Sequence, residues 1–493
     1  MSTSPRLVAP PSSGSAGLAR WGRWVGPAVF AVFLLWPPTG SFDSDAWVVL
    51  GLTLFMAIWW ITEAVPIPVT AALPVALLPV LGVVPIAEAT APYANPLIFL
   101  FVGGFAVALA VQRWNLHRRL ALAILDFSGN RLDRLVGGFM LATAGLSMWV
   151  SNTATAALML PIALSVLGVV EADPEARKAG SRPAIALLLG IAFAANIGGM
   201  ATLIGSPPNA LTAAFLNERY GLEIGFVQWL MMGLPIAGLL LAFTWWSLTH
   251  WVFPVHRIGL TGLGDMIAQQ RVELGGWSSA ERRVAIIFGA VAMAWLLRPL
   301  LNHSLPLNLT DAGIAVLGAV VLFLLPSGHP EQRFLLAWEN TRDLPWGVLI
   351  LVGGGLSLGA AIESSGLAGL IAESLQDAVQ MPFWILIFGV ILLTMSLSHV
   401  TSNTATAATL LPLVAALAVQ TSTAPLVLTV PVALAASAAF MLPVATPPNA
   451  IVFGSDRLTV LNMVRGGALP TVASIVLLVL VAQFWVGRVL GSG

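Results

Sequence analysis

Residues 151–157 read SNTATAA, and residues 402–408 repeat this run without a change. A second run, PPNA, follows each copy, at residues 207–210 and at residues 447–450. The offsets between the copies are 251 and 240 residues, and the polar letters match as well as the apolar ones. A shared apolar composition would not preserve polar residues in this way, so the chain consists of two related halves.

A third pair of runs extends the repeat towards the start of each half. FVGG at residues 101–104 matches LVGG at residues 351–354, which lies 250 residues later. An internal repeat on this scale is typical of secondary transporters, whose halves often have inverted topologies. The second half is expected to be inverted if each repeat contains an odd number of membrane spans.

The composition indicates that lipid surrounds most of the chain. Of the 493 residues, 58% are hydrophobic and 9% are charged, whereas soluble domains carry about 25% charged residues. The mean hydropathy is +0.91. The net charge is zero, so no nucleic-acid partner is indicated. The chain contains no cysteine, and its one lysine, Lys178, is not part of an ATP-binding P-loop.

Apolar stretches of about 20 residues predict the membrane spans. We expect spans in the two halves at residues 24–38, 46–63, 66–84, 96–112, 132–150, 183–203 and 226–253, and at 283–300, 311–326, 344–362, 382–399, 425–445 and 464–490. The expected division is into N-terminal scaffold helices (1–94), a first repeat core (95–256), a polar amphipathic linker outside the membrane (257–283), further scaffold helices (284–343) and a second repeat core (344–493).

The N-terminal region combines basic residues with an apolar run. Arg6, Arg20 and Arg23 precede the run from Val25 to Trp36, and no small-x-small cleavage site follows it. This pattern favours a retained first helix over a cleaved signal peptide. The basic flank predicts a cytoplasmic N-terminus, with the protein in the inner or plasma membrane.

Each SNTATAA run lies in an apolar stretch that is too long for one span. Residues 135–170 contain no Asp, Glu, Lys or Arg, and Pro161 and Pro412 follow the two copies at the same distance. A span followed by a re-entrant hairpin or a broken helix would account for this length. Ser, Thr and Asn side chains and helix N-termini bind carboxylates, and their oxygens and nearby carbonyls also suit Na⁺.

The PPNA runs predict helix breaks, because proline lacks an amide proton and clashes with the preceding turn. A break frees carbonyl oxygens, such as those of Gly205 and Ala445, to bind a cation. No Asp, Glu, Lys or Arg occurs in residues 184–217 or 383–455. An anion bound there would lack a counter-charge, and co-bound Na⁺ would supply it.

These paired runs resemble those of the divalent-anion/sodium symporter family, which includes sodium-coupled dicarboxylate carriers. The segment WITEAVP at residues 60–66 also resembles that family, so the likeness covers nearly the whole chain. It implies an all-α polytopic membrane protein with two inverted repeats, about 11 transmembrane helices and two re-entrant helical hairpins. It further implies a homodimer that moves C4 dicarboxylates such as succinate, malate or fumarate with Na⁺ by an elevator mechanism.

The same resemblance assigns roles to individual residues. It implies two Na⁺ sites, one formed by Ser147, Ser151, Asn152 and the Gly205 backbone, and the other by Ser398, Ser402, Asn403 and the Ala445 backbone. It implies that the dicarboxylate contacts Asn152, Thr153, Ser206, Pro207, Ser402, Asn403, Thr404, Thr446 and Pro447. Ser147 and Ser398 each lie four residues before the motif serine, and helical geometry can bring such pairs to one face.

Several alternatives stay open at this point. His399 stands where the first half has Met148, and a protonated imidazole could replace part of the sodium charge in a Na⁺-independent exchanger. A neutral His399 would instead bond to the backbone. The anion could also be sulfate, citrate or 2-oxoglutarate. An enzyme is not expected, since the six histidines are scattered and HExxH is absent, and a channel fits the repeats less well than alternating access.

Overall fold

The computed structural model describes residues 13–36, 38, 43–126, 129, 131–256, 258–259, 263–306, 308–330, 332–374 and 381–490. Within these residues the chain is almost entirely helical, and its two short strands, β1 (Pro326–His329) and β2 (Gln332–Phe334), form one antiparallel pair. The prediction of an all-α protein is confirmed. Arg6 in the basic N-terminal flank and Arg257 at the start of the linker lie outside the described residues.

The helices of the two halves follow in chain order. Those of the first half are α1 (Ser13–Leu35), α2 (Ser44–Thr62), α3 (Ile67–Ala71), α4 (Leu73–Val80), α5 (Ile86–Thr90), α6 (Pro96–Arg113), α7 (Leu116–Asp126), α8 (Leu132–Ser147), α9 (Asn152–Ala172), α10 (Pro174–Lys178), α11 (Arg182–Met200), α12 (Pro207–Tyr220) and α13 (Phe226–Trp246). Those that follow are α14 (Leu263–Leu274), α15 (Ser279–Ser304), α16 (Asp311–Leu324), α17 (Trp346–Ser364), α18 (Leu367–Ser374), α19 (Phe383–Ser398), α20 (Asn403–Gln420), α21 (Pro425–Ser437), α22 (Pro447–Phe453), α23 (Val460–Phe484) and α24 (Val486–Leu490). A π-helical turn (Ser247–Val252) continues α13, and 3-10 turns occupy Ala91–Ala94 and Trp338–Asp343.

Ten segments among the described residues are long and apolar enough to cross a membrane. Shorter apolar helices occupy Ile67–Val80, Asp311–Leu324, Phe383–Ser398 and Pro425–Ser437. The chain is therefore a multi-pass membrane protein, as its composition predicts.

Several predicted spans differ from the observed helices. Helix α1 begins at Ser13 and not at residue 24, and α21 ends at Ser437 and not at residue 445. The stretch 66–84 is divided into α3 and α4, because Pro74 stands in the first turn of α4 and has no amide proton with which to continue α3. Helix α15 begins before the predicted residue 283. Ser278 and Glu281 form a capping box there, in which the Glu281 amide donates to Ser278 Oγ at 3.1 Å.

The polar segment between the halves contains a helix. Helix α14 packs against α7 and α9, and Arg271 of α14 forms an ion pair with Asp126 of α7 at 2.6 Å. Gln270 donates to Ser165 Oγ of α9 at 3.2 Å. Part of the predicted linker is thus held against the first repeat by polar contacts.

The two repeats contain corresponding elements in the same order, except that the short helix α10 has no counterpart between α20 and α21. Helices α8 and α9 form hairpin 1 and helices α19 and α20 form hairpin 2, and each SNTATAA run starts at the junction of its hairpin. Residues 201–206 separate α11 from α12 and are called break 1, and residues 438–446 separate α21 from α22 and are called break 2. The duplicated sequence therefore builds duplicated local structure.

The repeats pack into each other rather than side by side. Helix α22 of the second repeat packs against α9 of the first, and α12 of the first packs against α20 of the second. Helix α11 contacts α8, α9, α21 and α22, and all of its residues from Pro183 to Met200 are buried. Helix α11 consequently lies at the centre of the molecule, where elements of both repeats meet.

Candidate functional site

Hairpin 1 places Asn152 at the start of a helix in the protein interior. Helix α8 ends at Ser147, residues 148–151 connect, and α9 begins at Asn152. Ser151 precedes the helix with φ −55° and ψ 142°, so the chain is extended immediately before α9. Helix α11 packs against both helices of the hairpin and brings its own backbone towards the junction.

Four oxygen atoms meet around the Asn152 side chain. Asn152 Oδ1 lies 2.7 Å from Ser147 Oγ. The carbonyl oxygens of Ala195 and Gly205 lie 3.1 and 3.2 Å from the same atom, and Ser147 Oγ lies 2.7 Å from the Ala195 carbonyl. Ala195 belongs to α11 and Gly205 to break 1. We call these four oxygens cluster 1; they come from both helices of hairpin 1, from α11 and from break 1.

The second repeat contains the same arrangement, which we call cluster 2. Asn403 Oδ1 lies 2.9 Å from Ser398 Oγ, and the carbonyl oxygens of Ala436 and Ala445 lie 3.1 and 3.2 Å from it. Ser398 Oγ also donates to the Ala436 carbonyl. Each group in cluster 2 has its counterpart in cluster 1, so the two SNTATAA runs build two copies of one site.

Oxygen atoms at these distances repel one another unless a positive atom lies among them. One serine hydroxyl has one proton, which does not satisfy all of its oxygen neighbours. Either the asparagine amide turns and its nitrogen donates to the surrounding oxygens, or a cation occupies the space between them. Amide, hydroxyl and carbonyl oxygens are the ligands that hard cations prefer, so the donor set fits Na⁺.

The structure brings together most of the residues that the sequence assigns to cation sites: Ser147, Asn152 and Gly205, and Ser398, Asn403 and Ala445. Ser151 has a different contact, since its Oγ caps α9 by accepting from the Ala154 amide at 3.3 Å. Ser402 makes no such cap. Ala195 and Ala436 were not predicted, because only their main-chain oxygens take part and their side chains give no polar signal.

The prolines of the PPNA runs lie after the breaks. Pro207 and Pro447 are the first residues of α12 and α22, where a missing amide proton is tolerated because first-turn amides have no partner within the helix. Helix α11 already ends at Met200 and α21 at Ser437. The breaks therefore begin earlier than the proline positions indicated, and they leave extended or turn-like backbone next to both clusters.

The asparagine of each PPNA run holds its break closed. Asn209 Nδ2 donates to the carbonyls of Gly199 and Thr202 at 2.9 and 2.8 Å. Asn449 Nδ2 likewise donates to the Leu442 carbonyl at 3.0 Å. These carbonyls lie at the end of a helix or in the break, where no helical amide serves them. This structural role was not assigned from the sequence.

The residues predicted to contact a carboxylate differ in exposure. Thr153 and Pro447 are exposed, Asn152, Pro207, Ser402 and Asn403 are half-buried, and Ser206, Thr404 and Thr446 are buried. Helices α9 and α20 begin at the motif asparagines, so the unpaired amides and partial positive charge of two helix N-termini lie beside the clusters. The half-buried and exposed members are therefore the ones positioned to meet an anion.

The two buried residues at the ends of the breaks bond to the opposite repeat. Thr446 Oγ1 accepts a hydrogen bond from Asn196 Nδ2 of α11 at 2.9 Å. Ser206 Oγ lies 3.1 Å from Ser437 Oγ of α21, with either hydroxyl as donor. Ser206 and Thr446 are thus engaged inside the protein.

His399 connects the junction of hairpin 2 to break 2. Its Nδ1 lies 2.7 Å from the Met395 carbonyl, and its Nε2 accepts from the Met441 amide at 3.3 Å. A ring that donates through Nδ1 and accepts through Nε2 is neutral. In the first repeat the hydroxyl of Thr202 makes the corresponding connection by donating to the Met148 carbonyl at 2.5 Å. The geometry matches the interpretation of His399 as a backbone-bonded, neutral histidine.

Comparison with known proteins adds to this geometry. The sequence profile of the family described as "Sodium:sulfate symporter transmembrane region" matches residues 19–492. The sodium-dependent dicarboxylate transporter SdcS of Staphylococcus saprophyticus is 41% identical over 480 residues, which cover 95% of this chain and 92% of that protein. SdcS of Staphylococcus aureus (strain USA300) is 37% identical over 478 residues, with 95% and 92% covered.

A solved structure has a similar fold. The YdaH transporter of Alcanivorax borkumensis, described as having an unusual topology, superposes with a TM-score of 0.54 at 13% sequence identity. The match covers 90% of this chain and 99% of that one. At this level of identity the likeness concerns the fold alone.

Proposed function

The chain belongs to the sodium:sulfate symporter family, and on this premise we propose that it is a sodium-coupled symporter of C4 dicarboxylates such as succinate, malate and fumarate. The two SdcS relatives are named sodium-dependent dicarboxylate transporters, and they match 95% of the chain. Its activity is transport and not catalysis. The structural observation that carries the proposal is the pair of oxygen clusters around Asn152 and Asn403, which offer neutral oxygen ligands without a charged side chain.

Each cluster would bind one Na⁺. The ligands would be Ser147, Asn152 and the carbonyls of Ala195 and Gly205 at one site, and Ser398, Asn403 and the carbonyls of Ala436 and Ala445 at the other. Ser151 and Ser402 remain proposed ligands on the strength of the family resemblance. Without a cation the amide nitrogen of Asn152 or Asn403 can donate to the surrounding oxygens, and with a cation the amide turns its oxygen towards the ion.

The dicarboxylate would bind between the two SNTATAA runs with one carboxylate near each. Its proposed contacts are Asn152, Thr153, Pro207, Ser402, Asn403, Thr404 and Pro447, with Ser206 and Thr446 at the ends of the breaks. Because residues 135–170, 184–217 and 383–455 carry no charged side chain, the bound Na⁺ ions supply the positive charge that a dianion requires. The anion therefore binds well only after the cations, and this order couples the two fluxes.

The wider architecture follows the family. The two repeats would be inverted, the hairpins re-entrant, and the repeat cores 95–256 and 344–493 would contain the part that moves as an elevator against scaffold helices in 1–94 and 284–343. The protein would be a homodimer in the inner or plasma membrane with its N-terminus in the cytoplasm. The corresponding elements of the two repeats and their mutual packing support the division into two related cores.

Uptake into liposomes tests the proposal. Purified protein is reconstituted, and entry of radiolabelled succinate is measured with and without an inward Na⁺ gradient, with no dicarboxylate inside. We expect uptake that requires Na⁺ and that is lost in Asn152→Ala and in Asn403→Ala. Competition by unlabelled malate, citrate, 2-oxoglutarate and sulfate would then rank the anions.

Two other results would contradict parts of the proposal. Uptake that ignores Na⁺ and appears once the liposomes are preloaded with a dicarboxylate would make the protein an exchanger and would end the symporter proposal. Citrate or sulfate uptake without succinate uptake would keep Na⁺ coupling and replace the substrate.

A further inference from the structure

The two cation clusters are joined through the protein by a reciprocal pair of hydrogen bonds. The Ala195 carbonyl belongs to cluster 1, and the next residue, Asn196, donates to Thr446 at 2.9 Å. Thr446 directly follows Ala445, whose carbonyl belongs to cluster 2. One hydrogen bond and two peptide units therefore separate a ligand of the first cluster from a ligand of the second.

The second connection runs in the opposite direction. The Ala436 carbonyl belongs to cluster 2, and the next residue, Ser437, lies 3.1 Å from Ser206 through its hydroxyl. Ser206 directly follows Gly205, whose carbonyl belongs to cluster 1. All four carbonyl-bearing residues are thus followed by a residue that bonds to the other repeat.

From this arrangement we infer that Asn196 and Ser437 are positioning residues that make the two Na⁺ sites cooperative. The inference rests on the proposed function, because it takes the clusters to be the sodium sites. The hydrogen bonds that the structure shows for the two side chains go to Asn449, Thr446, Ser206 and the Ala433 carbonyl, and not to the cluster oxygens. Each fixes the position of the backbone carbonyls of one site relative to those of the other.

Burial explains why these bonds are effective. Asn196 and Ser437 are 0% exposed, and Ser206 and Thr446 are 1% and 2% exposed. A buried amide or hydroxyl that loses its partner has no water to replace it, so the bonded arrangement is strongly preferred. Asn196 Oδ1 has no hydrogen-bond partner among the described residues, so the amide is held by its donor side alone.

The bonds give coupling a physical cause. A Na⁺ that enters cluster 1 draws the carbonyls of Ala195 and Gly205 towards it and thereby shifts Asn196 and Ser206. Their partners Thr446 and Ser437 adjoin the carbonyls of cluster 2, so the second site is moved towards its ligand-bound geometry before its ion arrives. Coupling between binding sites is reciprocal, so an ion in cluster 2 has the same effect on cluster 1.

The test compares the Na⁺ dependence of the wild type with that of Asn196→Ala, Ser437→Ala and the double variant. Two titrations are made on each protein: succinate uptake into liposomes, and the Na⁺-induced rise in melting temperature in detergent without dicarboxylate. In the melting titration, where no dicarboxylate links the two sites, we expect a Hill coefficient for Na⁺ above 1 in the wild type, a lower value in each single variant and a value near 1 in the double variant. The half-saturating Na⁺ concentration should rise by about fivefold or more.

Matched controls separate coupling from simple destabilisation. Thr143 and Thr394 are buried and occupy equivalent places in α8 and α19, but their hydroxyls bond only to carbonyls of their own helices, at 2.6 and 2.7 Å. Thr143→Val and Thr394→Val should therefore keep the wild-type Hill coefficient. A variant with both Asn196→Ser and Thr446→Ser replaces the Asn196–Thr446 bond with a pair of serines like Ser206 and Ser437. It should be more cooperative than Asn196→Ala.

The outcomes distinguish this inference from the function on which it rests. In the melting titration, a double variant that retains the wild-type Hill coefficient would overturn the inference, as would a wild-type Hill coefficient of 1. Cooperative Na⁺ stabilisation without uptake of any dicarboxylate would instead remove the proposed substrate and leave the connection between the sites in place.

Discussion

Helix α11 passes so close to Asn152 at Gly199 that a Cβ atom on residue 199 would lie 2.3 Å from Asn152 Oδ1. No side chain fits in that distance. The glycine therefore lets the backbone of α11 approach the amide of hairpin 1, and cluster 1 depends on this approach.

Replacing that glycine should disable one site without an added charge. In Gly199→Ala the new methyl group must displace the Asn152 side chain from its place in cluster 1. We expect Na⁺-dependent succinate uptake to fall at least about tenfold, a loss similar to that seen when residues that orient a metal ligand are replaced. Gly145→Ala is the matched control, because a Cβ on Gly145 of α8 meets no atom within 4 Å. Equal losses in both variants would show that α8 and α11 tolerate no substitution, and the specific role of Gly199 would be withdrawn.

The serines at the ends of α8 and α19 should affect sodium more than substrate. Ser147→Ala and Ser398→Ala each remove one oxygen from a cluster while the anion contacts remain. We expect the half-saturating Na⁺ concentration to rise by roughly tenfold in each variant, with a smaller change in the succinate KM at saturating Na⁺. Radiolabelled uptake over a range of Na⁺ concentrations measures both, and an unchanged Na⁺ dependence would remove the serines from the sites.

His399 should be replaceable by a residue that cannot titrate. Glutamine has both a donor and an acceptor, so His399→Gln keeps the means to bond to Met395 and Met441, and we expect Na⁺-dependent uptake to persist. In His399→Ala the Met441 amide loses its acceptor, a loss of about 1–3 kcal/mol, so Na⁺ affinity should fall. Loss of uptake in a folded His399→Gln protein would point to a functional proton at this position instead.

The asparagines that close the breaks should contribute to stability in both repeats. Asn209→Ala leaves two buried carbonyls without a donor, at a cost of about 1–3 kcal/mol for each unsatisfied group. We expect a lower melting temperature in detergent for Asn209→Ala and for Asn449→Ala, and added Na⁺ should restore less of it than in the wild type. Variants that melt with the wild type would show that the breaks are held by packing alone.

Much of the fold could be predicted from the repeated runs and the apolar stretches, for identifiable reasons. Long uncharged segments have no alternative to the membrane interior, so most spans were located to within a few residues. The prediction of one span over residues 66–84 was wrong because Pro74 divides the helix there. A hydropathy average does not detect one missing amide proton. The start of α15 carried a local signal, the capping pair Ser278 and Glu281, which identifies a helix start more sharply than hydropathy does.

The site could be predicted only in part. Ser147, Asn152 and their counterparts could be predicted because the same polar residues recur in both halves. The roles of the Ala195 and Ala436 carbonyls could not be predicted, since an alanine in an apolar helix gives no information about the contacts of its main chain. The bonds between the repeats were hidden for another reason. They join residues 250 and 231 positions apart, and Asn196 and Ser437 differ in type, so comparing the two halves does not mark them as equivalent.

The absence of charged side chains from residues 135–170, 184–217 and 383–455 has an electrical consequence. In the proposed cycle these segments of the empty carrier would cross the membrane field with no charge of their own, so voltage would do no work on their return. One dianion with one Na⁺ in each cluster is also neutral. Only a further cation would give the loaded step a net charge, on which 100 mV performs about 2.3 kcal/mol of work. The charge moved per succinate, measured as a current, would therefore equal the number of Na⁺ ions bound in addition to the two in the clusters.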